Sequence, residues 1–105
     1  MAVVRGLGYI VRLFAPLQQE VLLMLKCSTS LWSANLVDLA VDMRRVEPYS
    51  ERFHLDVADG HYSPTMLFFP DLVAALRPHS ERPFEIHLMT TGPSAWIEPF
   101  AEAGA

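Results

Sequence analysis

The chain has 105 residues and a mass of 11.8 kDa, with 51% hydrophobic and 19% charged residues, a net charge of −4 and a pI near 5.4. These values exclude intrinsic disorder, more than one domain of ordinary size, and a nucleic-acid binder that depends on a basic face. The single cysteine, Cys27, cannot form an internal disulfide, and no uncharged apolar run reaches the roughly 18 residues of a membrane helix. The sequence reads as a reduced, cytoplasmic protein with no membrane or nucleic-acid partner.

Residues 1–23 read as an N-terminal extension that is apolar, mildly basic and interrupted by Gly6, Gly8 and Pro16. Arg12 cuts the apolar stretch and no small-residue cleavage site follows, so a short amphipathic helix over Tyr9 to Phe14 fits better than a secretory signal. Val21 to Leu25 is a continuous apolar run, as in a strand buried on both faces or a short buried helix. After the polar stretch Ser28-Thr29-Ser30, Asn35 suits the N-cap of a helix carrying Leu36, Leu39, Ala40, Met43 and Val46. Pro48 ends that helix. Phe53 to Val57 alternates like a strand, and Gly60, Ser63, Pro64 and Thr65 mark the loop beyond it. Pro70 suits the first turn of a second helix with Leu72, Val73 and Leu76 as its apolar stripe and Pro78 past its end. Phe84 to Met89 is a further strand. Gly92-Pro93-Ser94 then opens a helix that turns Trp96, Ile97 and Phe100 inward and finishes near Gly104. Alternating strands and helices predict an α/β fold of parallel βα units.

The residues able to do chemistry cluster at the C-terminal ends of the predicted strands, where parallel sheets place ligands. In His54-Leu55-Asp56 the imidazole and carboxylate stand at i and i+2 of a strand and share a face. His87 sits near the end of the next strand. Two imidazoles and a carboxylate from neighbouring strands make a divalent-metal half-site, although each histidine alone also suits a hydrogen-bonded core position. Ser30 is either a further site residue or a turn residue. Asp59, Gly60 and His61 fit a tight loop in which Gly60 supplies a positive φ. His79 reads as an exposed loop residue. Met66, Phe68 and Phe69 pack under that loop or line a substrate mouth.

The run Phe53-His54-Leu55-Asp56-Val57-Ala58-Asp59-Gly60-His61-Tyr62-Ser63-Pro64 resembles the His-x-Asp-x-Met-Asp-Gly-His-Phe-x-Pro signature of ribulose-phosphate 3-epimerases. His87-Leu88-Met89 resembles that family's His-Leu-Met motif, and Cys27 to Ala34 its first-strand segment Ala-Pro-Ser-Ile-Leu-Ser-Ala-Asp. The match runs in one register over about residues 24–105. The resemblance implies the N-terminal portion, about three βα units, of a (β/α)8 TIM barrel, incomplete in this chain. It also implies 3-epimerisation of a ketose phosphate, D-ribulose 5-phosphate or a close analogue. In that chemistry a base removes the C3 proton, the charge of the ene-diolate is stabilised by a divalent metal, and an acid on the opposite face returns a proton. Carried over by position, Asp56 is the base and a metal ligand, and His54 and His87 are the other ligands. Ser30, His87 and Met89 contact the substrate. Zinc is the first choice for this donor set, and iron, manganese or cobalt also suit it.

The departures from the family pattern bear on specificity. Ala58 stands where the family has a methionine over the ene-diolate, and Thr65-Met66-Leu67-Phe68-Phe69 replaces Asn-x-Thr-Phe-Gly. Pro70 sits as in relatives acting on six-carbon ketose phosphates, such as allulose 6-phosphate 3-epimerase. A second catalytic aspartate and the glycine-rich phosphate loops have no counterpart in residues 24–105. The isolated polypeptide is therefore expected to lack epimerase activity and to self-associate through its open sheet edges. The alternative expectation is a non-catalytic remnant that binds metal weakly or serves as an interaction module.

Overall fold

The computed structural model describes residues 25–105. The elements are β1 (Ser28–Ser30), α1 (Leu39–Val46), β2 (Arg52–Asp59), β3 (Met66–Leu67), α2 (Pro70–Leu76), β4 (Phe84–Met89) and α3 (Ser94–Glu102). Single 3-10 turns, Glu47–Tyr49 and Arg77–His79, follow α1 and α2. Each contains the proline that stops its helix, Pro48 or Pro78, because a ring without N–H cannot continue the hydrogen-bond ladder.

Strand β2 is the spine of the sheet. It pairs in parallel with β1 over Arg52–His54 and with β4 over Phe53–Ala58. The short β3 adds antiparallel pairs at Ala58 and Asp59. Ala58 is paired to both Met89 and Leu67, so β4 takes one edge of β2 while β3 sits on the edge that β1 shares lower down. The α/β expectation of parallel βα units holds, with β3 as an antiparallel addition inside what the sequence reads as a loop.

Period-two alternation divides this sheet into an apolar and a polar face. Phe53, Leu55 and Val57 of β2, with Phe84 of β4, point to the helix-covered side and are buried. They pack with Leu39, Met43 and Val46 of α1, Val73 and Leu76 of α2, and Phe100 of α3 in one core. Phe53 and Phe84 meet edge-on with centroids 6.2 Å apart. Burying side chains of this size stabilises the fold by about 1.5–3 kcal/mol each, which is what holds the sheet against its helices. The opposite face carries Ser28, Ser30, His54, Asp56, Glu85, His87 and Met89.

Three expectations are corrected. Leu25, the one described residue of the apolar run Val21 to Leu25, is exposed rather than buried, and the first strand among the described residues is the polar triplet Ser28–Ser30. Tertiary pairing decides this: Thr29 Oγ1 lies 2.7 Å from Ser50 Oγ, and the Cys27 carbonyl accepts the Glu51 N–H at 2.8 Å. The rest of that run and the helix expected at Tyr9 to Phe14 lie outside the described residues. Helix α1 is capped at Asp38 rather than Asn35, whose Oδ1 instead accepts the Val37 N–H and tightens the preceding turn, leaving Leu36 exposed. In α3 only Phe100 enters the core; Trp96 and Ile97 are exposed, because the helix rests on the sheet margin. Ile97 there borders an open hollow of about 230 Å³ with Ile86, Leu88 and Ala101.

Candidate functional site

Strand register brings the chemical groups together. Asp56 is the Cα partner of His87, His54 the partner of Glu85, and Ser30 the partner of His54. His54 Nε2 lies 3.1 Å and His87 Nδ1 3.0 Å from the same oxygen, Asp56 Oδ1, while the Ser30 hydroxyl donates to Oδ2 at 3.1 Å. The two imidazole rings are 5.5 Å apart. Asp56 is the one buried carboxylate among the described residues. A buried carboxylate is costly unless its charge is answered, and here two rings and a hydroxyl answer it.

One ligand atom from each of His54, Asp56 and His87 lies within 4.8 Å of the others. Two imidazole nitrogens and a carboxylate oxygen at that spacing suit zinc and related divalent ions, and the face is open enough for further ligands. The donor set therefore fits a divalent metal. Met89 ends β4 on the same face, beside Ala58, and Ser30 closes the other side of Asp56.

Glu85 is the site neighbour that sequence reasoning missed. Its Oε2 lies 3.0 Å from His54 Nδ1 and accepts the Ser28 hydroxyl at 3.0 Å, while Arg52 Nη1 stands 3.5 Å from Oε1. The signal available was its position two residues before His87 on the same strand face. Burial disfavours the charged ring of His54, but the Glu85 hydrogen bond and the Asp56 charge outweigh it and raise its pKa above 6.5. The His54 hydrogen bond, with that from Ser28, in turn lowers the Glu85 pKa.

Asp59 has a different task. Its Oδ1 accepts the N–H groups of His61 and Tyr62 at 2.8 and 2.9 Å, and Oδ2 accepts that of Thr91 at 2.7 Å. These bonds, that of Thr91 foremost, pull its pKa down to about 2 and tie the loop after β2 to the end of β4. Gly60 takes φ +75 in that turn, as the sequence requires. Phe68 is buried, whereas Met66 and Phe69 are exposed on the rim of a cavity of about 400 Å³. His79 is exposed, with Nδ1 2.9 Å from Arg44 Nη1, and takes no part in the site.

The sequence model of the ribulose-phosphate 3 epimerase family matches residues 26–105. The chain belongs to that family. It is 37% identical over 83 residues to the ribulose-phosphate 3-epimerase of Bacillus subtilis, covering 78% of this chain and 38% of that protein. It is 35% identical over 82 residues to the Rhodobacter capsulatus enzyme, covering 77% of this chain and 36% of the other. Against the protein of Rhodospirillum rubrum it is 50% identical over 52 residues, 50% of this chain and 23% of that one. The chain thus spans a little over a third of the length of the first two relatives. By this homology the fold is that of an epimerase, and the described portion corresponds to part of a TIM-barrel-like arrangement. No helix among the described residues is long and apolar enough to cross a membrane.

Proposed function

We propose that the chain supplies the metal-binding side and one proton-transfer group for 3-epimerisation of a ketose phosphate, D-ribulose 5-phosphate to D-xylulose 5-phosphate or a close analogue. The observation that carries this reading is the convergence of His54, Asp56 and His87 on one sheet face, with ligand atoms within 4.8 Å. His54, His87 and Asp56 would hold the ion, zinc first and iron, manganese or cobalt as substitutes. Bound there, a divalent metal supplies positive charge beside the oxygens on which an ene-diolate concentrates its charge. Asp56 divides its labour by atom. Oδ1 faces both imidazoles and is the ligand oxygen; Oδ2, bonded to the Ser30 hydroxyl, is free to take the C3 proton. Asp56 is buried, which keeps bulk water from competing for that oxygen. Ser30 steadies that oxygen and borders the sugar, and Met89 shields the reacting carbon beside the small Ala58. That reduced wall supports a preference that reaches to larger ketoses. A cytoplasmic setting accords with the rice relative, a cytoplasmic isoform. Self-association through the free edge of β4 belongs to the same reading.

The test is exchange of the C3 proton of ribulose 5-phosphate into deuterium oxide, followed by proton NMR, with zinc-loaded chain and with Asp56→Asn. Asp56-dependent exchange is expected. Inversion needs a proton from the opposite face, where no second buried carboxylate stands among the described residues, so exchange should outrun xylulose 5-phosphate formation. Exchange that survives Asp56→Asn overturns the reading. Stoichiometric metal binding without exchange favours the alternative of a metal-binding module, for which the half-exposed His87 is the supporting observation.

A further inference from the structure

Among the described residues β4 pairs with β2 alone, in unbroken register from Phe84 to Met89. Its other edge is a row of free N–H and C=O groups that a further strand can join. Proteins blunt such edges with lysine, proline or a bulge, and Phe84-Glu85-Ile86-His87-Leu88-Met89 has none of these.

Backbone alternation shows which groups are free. The Phe53 N–H donates to the Pro83 carbonyl at 2.9 Å, and Phe53 is the Cα partner of Phe84. In a parallel ladder the backbone groups of Pro83, Glu85 and His87 therefore turn toward β2, and those of Phe84, Ile86 and Leu88 turn outward. On the helix-covered side, Ile86 and Leu88 border the hollow of about 230 Å³ together with the exposed Ile97. The edge thus offers apolar side chains and unpaired backbone groups at the same residues.

We propose that this edge binds a second copy of the chain, β4 against β4 in antiparallel pairing, about a two-fold axis at Ile86. Self-association at this edge is part of the functional reading above; the symmetry and register go further and need neither metal nor substrate. Opposed residues of a pair share a face, so the axis must fall at a residue. An axis at Glu85 sets two carboxylates face to face, and one at His87 sets two imidazoles face to face. An axis at Ile86 instead places each Glu85 opposite the His87 of the other copy, a carboxylate against an imidazole. It also pairs every outward residue, Ile86 with its counterpart and Phe84 with Leu88, whereas an axis at Glu85 leaves Leu88 without a strand partner and one at His87 leaves Phe84. The helices of both copies then lie on one side of the joined sheet, with Ile86 of each at the other's hollow. A two-fold pairing closes at the dimer. Joining β4 head-to-tail to β1 would meet just the short Ser28–Ser30 and would not close.

The experiment uses the metal-free 105-residue chain in sedimentation equilibrium. The wild type should run as a dimer, at twice 11.8 kDa, that dissociates on dilution. Ile86→Pro deletes an outward N–H and no bond to β2, a substitution edge strands tolerate, and should give a monomer with the wild-type circular dichroism spectrum. In a Cys27→Ser background, Ile86→Cys should form an intermolecular disulfide on mild oxidation, because hydrogen-bonded opposed Cα atoms lie about 5.5 Å apart. Glu85→Cys should not, since its counterpart stands diagonally, about 7–8 Å away. A wild type that stays monomeric at millimolar concentration, an assembly larger than a dimer, or a dimer that survives Ile86→Pro overturns the proposal. A disulfide in Glu85→Cys, or none in Ile86→Cys, overturns the register, and this pair decides the matter if Ile86→Pro does not fold. None of these results bears on Asp56-dependent exchange, so the two readings fail separately.

Discussion

Arg77 clamps the C-terminal helix to the sheet, and removing it gives a quantitative test of how this small fold coheres. Its Nη1 donates to the Gly104 carbonyl at 3.1 Å, and Nη2 donates to the carbonyls of Arg82, at 2.7 Å, and Ser80. The guanidinium carbon lies 3.9 Å from the centre of the Phe84 ring. For a partly buried group, about 1 kcal/mol for each hydrogen bond and about 0.5–1 kcal/mol for the ring contact give about 3–4 kcal/mol for Arg77→Ala. Gly104 supplies an internal control. A Cβ there would lie 2.6 Å from Arg77 Cδ, and the residue sits at φ +99. Gly104→Ala should therefore cost both a clash and backbone strain in the wild type, but only the strain, about 1 kcal/mol or more, once Arg77 is alanine. Urea unfolding of the two single variants and the double variant, followed by circular dichroism, gives the coupling directly. Contacting residues of this kind couple by about 0.5–3 kcal/mol. A loss below about 0.5 kcal/mol for Arg77→Ala would refute the clamp, since that is the size of an ordinary surface change. Equal cost of Gly104→Ala in both backgrounds would refute the steric argument.

Asp59 should make the fold acid-sensitive. Its pKa falls from 3.8 to about 2 on folding, so its stabilising effect is complete above 3.8 and is lost as pH drops toward 2. An acid unfolding curve should lose steepness in that window in Asp59→Asn. His54 acts in the opposite sense: its raised pKa stabilises the fold below pH 6.5 and that contribution fades as pH rises through the raised value, as its side-chain NMR titration in wild type and Glu85→Leu should show. Leu55, fully buried on the apolar face of the site strand β2, should cost about 2–5 kcal/mol when changed to alanine, measured by urea unfolding. Asp56→Asn should abolish stoichiometric zinc binding in calorimetry while leaving the circular dichroism spectrum of the fold intact.

Much of the site is legible in the sequence because β2 and β4 each face two environments. Phe53-His54-Leu55-Asp56 and Phe84-Glu85-Ile86-His87 alternate apolar and polar, and period-two geometry sends every second residue to the same side. Prolines at 48, 70 and 78 punctuate the helices for a local steric reason, so those boundaries were readable too. What was misread depends on partners distant in the chain. Ser28-Thr29-Ser30 carries a weak strand signal, Thr29 being its one β-branched residue, and is extended because β2 offers it a ladder. The apolar stripe of α3 suggested three buried residues, but only the part over the sheet, Phe100, found a core to enter.

By itself the sequence determined the family, the alternation of strands and helices, and the identities of His54, Asp56 and His87 as the chemical cluster. These follow from short-range rules: side-chain periodicity, proline sterics and closely spaced motifs. Only the tertiary structure decided that Asp56 Oδ1 is shared by both imidazoles, that Asp59 anchors a loop to Thr91, and that Glu85 stands behind His54. Each depends on which residue of one strand lies opposite which residue of another. Register is set by backbone hydrogen bonds between segments some thirty residues apart, and no local propensity encodes that choice.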